Sequence, residues 1–279
     1  MTRFHQKLTF NRGVAECAEL SRRKSLLRLF SCFSVSPRWI LTSTLFFLLP
    51  ALFAQPAAKT PQPAAPLQEG FPFTNEALHY TMNWQSGLSL GDAMMNARRT
   101  GSGWDFEVTV NAGVPGFAIA DKYTSSTDSG ICSQVLERHA NHAGKRSDEK
   151  TTFDQKAGTA HRITLFPDGG GGSTYEIPSC ARDAVAFAYY ARVELGQGRV
   201  PAAQQVYFGP PYTVKMEYGG AENIASNEKS VVTDRLTVGF RGPKSSSTFE
   251  VWYARDAART PLRIRIPASV GTLTLELVR

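Results

Sequence analysis

The sequence predicts a mainly β fold: a curved antiparallel sheet forming an open or partly closed barrel, with one principal amphipathic helix. Three observations carry this. Apolar side chains recur at every second residue in segment after segment. Glycine-containing turns separate those segments, and one stretch alone changes to a spacing of three and four. Successive side chains of a strand point to opposite faces, so period-two patterning marks half-buried strands, whereas a period near 3.6 marks a helix face.

The chain has 279 residues, with 42% hydrophobic and 20% charged side chains, 23 Gly and 16 Pro. This is ordinary globular composition and excludes collagen-like and wholly disordered classes. A mean hydropathy of -0.24 excludes a polytopic membrane protein. The net charge of +7 is unevenly placed. Eight of the 31 Lys/Arg and two of the 24 Asp/Glu fall in residues 1–54, leaving 23 basic against 22 acidic residues beyond. A near-neutral body offers no electrostatic footprint for nucleic acid.

Arg22, Arg23, Lys24, Arg28 and Arg38 precede the apolar run Trp39 to Phe53, which Pro50 interrupts. A membrane-spanning helix needs roughly 20 apolar residues, so the run is short for an anchor. A basic flank, a short apolar core and a small exit residue describe a secretory signal over residues 1–54, with cleavage between Ala54 and Gln55. A retained anchor is the alternative. Neither Cys17 nor Cys32 follows the core, so a lipidated N-terminal cysteine is not expected. The reading is an exported protein, periplasmic or secreted, touching membrane at most peripherally after cleavage. Residues 55–70 are rich in Pro and Ala and read as a disordered linker. A single β-rich domain then covers 71–279.

Within it, Leu78, Tyr80, Met82 and Trp84 alternate with polar residues before a turn at Gln85-Ser86-Gly87. Trp104, Phe106, Val108 and Val110 form the next set, and Tyr212, Val214, Met216 and Tyr218 another. Leu236, Val238 and Phe240 follow, then Phe249, Val251 and Tyr253, with Glu250 and Trp252 on the opposite face. Leu262, Ile264 and Ile266 and then Leu273, Leu275 and Leu277 close the chain. Such strands joined by Gly-rich turns imply a sandwich or partly closed barrel. From Ala181 the apolar residues Ala184, Phe187, Ala188, Ala191 and Leu195 share one helix face, with Asp183, Arg192 and Glu194 elsewhere. Ser179 is the candidate N-cap and Gly196 the candidate stop. This helix is expected to lie across one face of the sheet or to plug an open side.

Catalytic and metal signatures are weak. His139 and His142 form an H-x-x-H in a polar, loop-like setting, a spacing that suits zinc only on a helix. The run Asp168 to Ser173 holds four glycines but no Lys-Ser/Thr ending and no following helix, so it reads as a hairpin loop and not a phosphate cradle. Acidic pairs such as Asp148-Glu149 and Asp105/Glu107 are placed on loops and strand exteriors. No H-E-x-x-H, G-x-S-x-G or S-x-x-K occurs. No cofactor, metal or catalytic residue is expected.

Several stretches resemble a known family. The segment EALHYTMNWQSGLSLGDAMM carries Trp84, Gly87 and Gly91. The helix carries Asp183, Tyr190 and Arg192 at a shifted spacing. The closing FEVWYARDAARTPLRIRI carries Val251, Trp252, Asp256, Arg259, Pro261 and Ile264. Together they resemble the bacterial exported family catalogued as domain of unknown function 3108. The resemblance implies a curved antiparallel sheet with a helix, similar to open barrels that carry lipids or lipoproteins between bacterial membranes; it implies no catalytic residues. Read physically, Asp256 caps its own turn, Arg259 pairs with it, and Pro261 starts a strand where a missing donor is harmless. These residues are expected to be structural.

The expected function is that of an exported cell-envelope protein binding an apolar or lipidic ligand in the concave face of the sheet. Docking of an envelope protein through a sheet edge or the helix is the alternative, and a hydrolase with an unrecognised site is a third. Cleavage at Ala54 leaves only Cys132 and Cys180, which in an oxidising compartment tend to pair. A bond between them would close a loop of about 48 residues, worth roughly 4 kcal/mol on chain entropy.

Overall fold

The structure, a computed structural model, describes residues 75–114, 117–243, 245–268 and 271–278. The expected signal segment 1–54 with its expected Ala54/Gln55 cleavage site, the expected linker 55–70 and residues 71–74 lie outside the described residues.

The first eight strands form an antiparallel meander. They are β1 (Asn75–Trp84), β2 (Ser89–Arg99), β3 (Gly103–Val114), β4 (Phe117–Asp128), β5 (Ser133–His142), β6 (Lys145–Asp154), β7 (Thr159–Phe166) and β8 (Gly172–Glu176). A two-residue strand β9 (Arg182–Asp183) leads into the helix α1 (Ala184–Gly196). Six strands follow: β10 (Gln204–Tyr207), β11 (Pro211–Ser226), β12 (Lys229–Arg241), β13 (Ser246–Ala254), β14 (Pro261–Ala268) and β15 (Gly271–Leu277). All join one large, curved, unclosed sheet in the order β8 through β1, then β15 down to β9. The first and last strands pair at its centre, with Tyr80 opposite Leu277 and Trp84 opposite Leu273. Among the described residues only β9 and β10 run parallel.

Alternation decides which face each strand buries. Leu78, Tyr80 and Met82 of β1 are buried between more exposed neighbours. The same side of the sheet collects Ala93 and Ala97 from β2, Phe106 from β3 and Leu136 from β5. The helix packs against this concave side. Val185, Ala186 and Tyr189 meet Trp104, Phe106, Leu136 and Phe153, while Phe187, Ala191 and Leu195 meet Val214, Leu236 and Val251. Phe106 and Tyr189 stack with centroids 4.1 Å apart.

The two free edges of the sheet approach each other. Tyr207 of β10 donates its hydroxyl to the Glu176 carbonyl of β8 (3.3 Å). The segment before the helix is tied to β5, with Ser133 N donating to Ala181 O at 3.0 Å, and Gln155 bonds both carbonyls. Cys132 and Cys180 form a disulfide there, with Cα atoms 4.6 Å apart.

Two local expectations change. The helix N-cap is Asp183, not Ser179, because its carboxylate accepts from Val185 N and Ala186 N. Gly196, the expected stop, is the last residue of the helix, with Gln197 as its C-cap and Gly198 N donating to Leu195 O. Trp252, placed on the outward face, is buried to 2% exposure. Its cover is the β11–β12 hairpin. A register shift between Tyr218 and Gly220 bends that hairpin, and Gly220 takes a φ of 108° that side-chain-bearing residues avoid. Beyond the bend, Glu222 accepts from the Trp252 indole (3.1 Å) and Ala225 O from Arg263 (3.3 Å). Gly91 is also forced. Its φ is 148°, and a Cβ there would lie 2.0 Å from Asn111 O on β3.

Candidate functional site

The candidate site lies where the helix leaves the concave face incompletely filled. Ala184, Ala188 and Ala191 present small side chains toward β11–β14. A cavity of about 150 Å³ remains, walled by Phe187, Met216, Val238, Val251 and Ile264 among others. Met95 of β2 and Pro261 complete the wall. At its mouth Phe208 is 40% exposed and packs with Tyr212 and Phe240, ring centroids 5.3 and 6.0 Å away; Phe249 follows at 6.3 Å from Phe240. An apolar space of this size is large enough for a benzene-sized group.

One charged side chain borders it. Arg192 of the helix donates to both oxygens of Glu76 (2.6 and 2.7 Å) and to Ala258 O (2.9 Å). Burial works against its charge, but the hydrogen bonds and charge of Glu76 outweigh burial and hold its pKa above the ordinary value. Sequence reasoning placed Arg192 and Asp183 off the apolar face; both are buried. The surrounding phenols are neutral. Burial raises Tyr80 and Tyr189 well above the ordinary phenol value and pushes Tyr253 up to about 12. Tyr80 donates to Pro261 O (2.9 Å).

A second group of charges stands on the same face at the rim. Arg138 of β5 lies opposite Glu149 of β6, and Arg162 of β7 bonds that carboxylate through Nε and Nη2. Gly209, the neighbour of Phe208, lies over this pair: a Cβ there would sit 3.1 Å from Glu149 Oε2 and 3.2 Å from Arg162 Nε. The aromatic mouth and the charged rim therefore adjoin.

The closing motif has structural partners throughout. Val251 lies in the core. Asp256 accepts from Thr260 N (2.9 Å) and from the Thr260 hydroxyl (2.6 Å). Arg259 corrects an expectation: its ion pair is with Asp234 of β12 (3.1 Å), not Asp256. Asp234 is 1% exposed and also accepts from Tyr218 and Arg255, so a buried guanidinium and a buried carboxylate satisfy each other.

The histidines are not brought together. His139 and His142 lie on strand β5, not in a loop, where residues three apart face opposite sides. His139 faces Asp148 (3.3 Å) and His142 faces Asp121 (2.9 Å). Asp148 and Glu149 are likewise on a strand and diverge, Asp148 toward His139 and Arg146, Glu149 toward Arg162. The hydrogen bonds of Arg146 hold the Asp148 carboxyl below its ordinary value. Among the described residues no cluster of three His, Cys, Asp or Glu could hold a metal. Of the Asp168–Ser173 glycine run, Asp168 to Gly171 lie in the hairpin loop between β7 and β8, and Gly172 and Ser173 open β8. No described helix is long and apolar enough to cross a membrane.

Among solved structures, the chain is similar to a beta-barrel-like protein of domain of unknown function DUF1849 from Brucella abortus. The TM-score is 0.54 at 8% identity, covering 77% of this chain and 98% of that one. It is also matched to the Mycobacterium tuberculosis lipoprotein LppX at 12% identity, covering 72% and 84%; its TM-score of 0.24 carries no structural argument. No curated protein sequence is significantly similar to the chain. The family described as "Protein of unknown function (DUF3108)" matches residues 79–278, nearly every described strand and the helix, and this chain belongs to it.

Proposed function

We propose that the protein is exported and holds an apolar or lipidic ligand against the concave face of its sheet, as a binder and not a catalyst. The observation that supports this is the cavity between the helix and β11–β14, whose lining is apolar apart from Arg192 and whose mouth is a cluster of partly exposed aromatic rings. Ligand sites are mostly apolar concavities with a few polar groups that fix orientation. At about 150 Å³ the enclosed part is smaller than a whole drug-sized site, so it suits the end of a chain or a single ring, with the remainder lying along the open sheet. The apolar run after the basic N-terminal residues and the Cys132–Cys180 pair favour an exported, oxidising setting.

Native mass spectrometry of protein purified from its own envelope tests the reading, together with displacement of an apolar fluorophore. Co-purifying lipid is the expected result. Filling the cavity through Ala191→Phe is expected to weaken fluorophore binding at least tenfold. Ligand-free protein that also ignores the fluorophore refutes the reading, and a co-purifying protein in place of lipid favours the docking alternative.

A further inference from the structure

The rim charges are unevenly matched, and the mismatch faces the ligand path. Glu149 is committed to Arg162, which grips it through Nε (3.1 Å) and Nη2. Arg138 stands farther off, 3.8 Å from Glu149 Oε2. Its Nε donates to the Tyr123 hydroxyl (3.3 Å), and its guanidinium lies 5.9 Å from that ring's centroid. Among the described residues no acceptor bonds Arg138 Nη2. The remaining nearby carboxylate, Asp121, is held by His142 at 2.9 and 3.0 Å. Arg138 is thus a positioned guanidinium, three-quarters buried, with donor capacity to spare.

From it an apolar strip runs to the cavity. Arg138 pairs with Tyr123, Tyr123 with Val108, and Val108 with Met95, which lines the cavity. These three keep part of their surface exposed while packing against the cluster that holds Val185, Ala186 and Tyr189 of the helix, so the strip runs along the margin of the helix. Three strand spacings make the distance from Arg138 to Met95 roughly 14 Å. A charged group at one end, an apolar floor and an apolar pocket at the other match a molecule with one charged end and one apolar end.

Resting on the ligand-binding reading above, we infer that the ligand is a single-chain amphiphile with an anionic head, which Arg138 receives at the rim while the tail runs over Tyr123, Val108 and Met95 toward the cavity. Arginine suits this role, because its planar fork bonds carboxylate or phosphate oxygens in pairs. Tyr123 is a positioning residue, holding the guanidinium through its hydroxyl.

The test compares dodecanoate with methyl dodecanoate on the full chain, by displacement of the same fluorophore. The acid is expected to bind at least tenfold tighter than the ester, the scale of a charge-assisted hydrogen bond. Arg138→Gln is expected to bring the acid down to the ester's affinity with the ester unchanged, which also shows the variant folded. Arg138→Lys is expected to restore part of the preference. Equal affinities in the parent protein, or a preference that survives Arg138→Gln, overturn this inference and leave the proposed function standing. Binding of neither molecule overturns both.

Discussion

Asp183 is the most exacting point in the fold to perturb. It is fully buried, and its carboxylate accepts four hydrogen bonds: from Val185 N (2.9 Å) and Ala186 N (3.0 Å) on one oxygen, and from the Ser125 and Ser133 hydroxyls (2.6 Å each) on the other. It therefore joins the helix start to β4 and β5. Asp183→Ala removes the cap, worth about 1 kcal/mol. It also strands two buried hydroxyls at about 1 kcal/mol or more each, while relief of the buried charge offsets part of the loss. The expected net is about 3 kcal/mol, a fall in Tm of roughly 6–12 °C for a domain of this size. Asp183→Asn keeps the acceptor for the two amides and is expected to cost about 1 kcal/mol. The pH dependence separates the two effects. Burial raises the Asp183 carboxyl above its ordinary value despite the four hydrogen bonds that lower it, so the folded state binds this proton more tightly than the unfolded one. Its contribution is greatest below the unfolded value near 4 and falls as pH rises through the raised folded value. Urea unfolding across that window is expected to show the parent protein gaining on Asp183→Asn as pH drops. A loss under about 1 kcal/mol for Asp183→Ala, or parallel pH profiles, refutes this account.

Two further perturbations test the supports of the site. Replacing both Cys132 and Cys180 by Ser opens a loop of sequence separation 48 and is expected to cost about 4 kcal/mol on chain entropy, read by urea unfolding with and without reductant. An equal midpoint for parent and variant in non-reducing buffer counts against a bond in the native protein. Glu76→Gln removes the carboxylate that neutralises buried Arg192 beside the cavity. It is expected to cost about 3–5 kcal/mol by thermal or urea unfolding, and a change below about 1 kcal/mol means the guanidinium draws its compensation from elsewhere.

Local pattern carried the architecture. Leu78, Tyr80 and Met82, or Leu236 and Val238, announce strands because period two is a property of the extended backbone, independent of what the strand meets. The 3.6-residue spacing of Ala184, Phe187, Ala188 and Ala191 marks the helix for the same reason, and two cysteines beyond Ala54 restrict the pairing to one choice. What alternation leaves open is which faces are covered. Trp252 alternates outward as expected, yet the bent β11–β12 hairpin buries it. Arg192 and Asp183 look like solvent-facing helix residues until Glu76, 116 positions away, and the serines of β4 and β5 reach them. Arg259 finds Asp234, 25 residues back, and not the aspartate in its own turn. The cavity and the rim beside it are likewise assembled from β2, the helix, Phe208 in the turn after β10, and β11–β14, with Arg138 and Arg162 arriving from β5 and β7. Sequence fixes periodicity because backbone geometry is local. Only the curved path of the sheet decides burial of charge, because a buried ion is tolerated only where distant strands supply its partner.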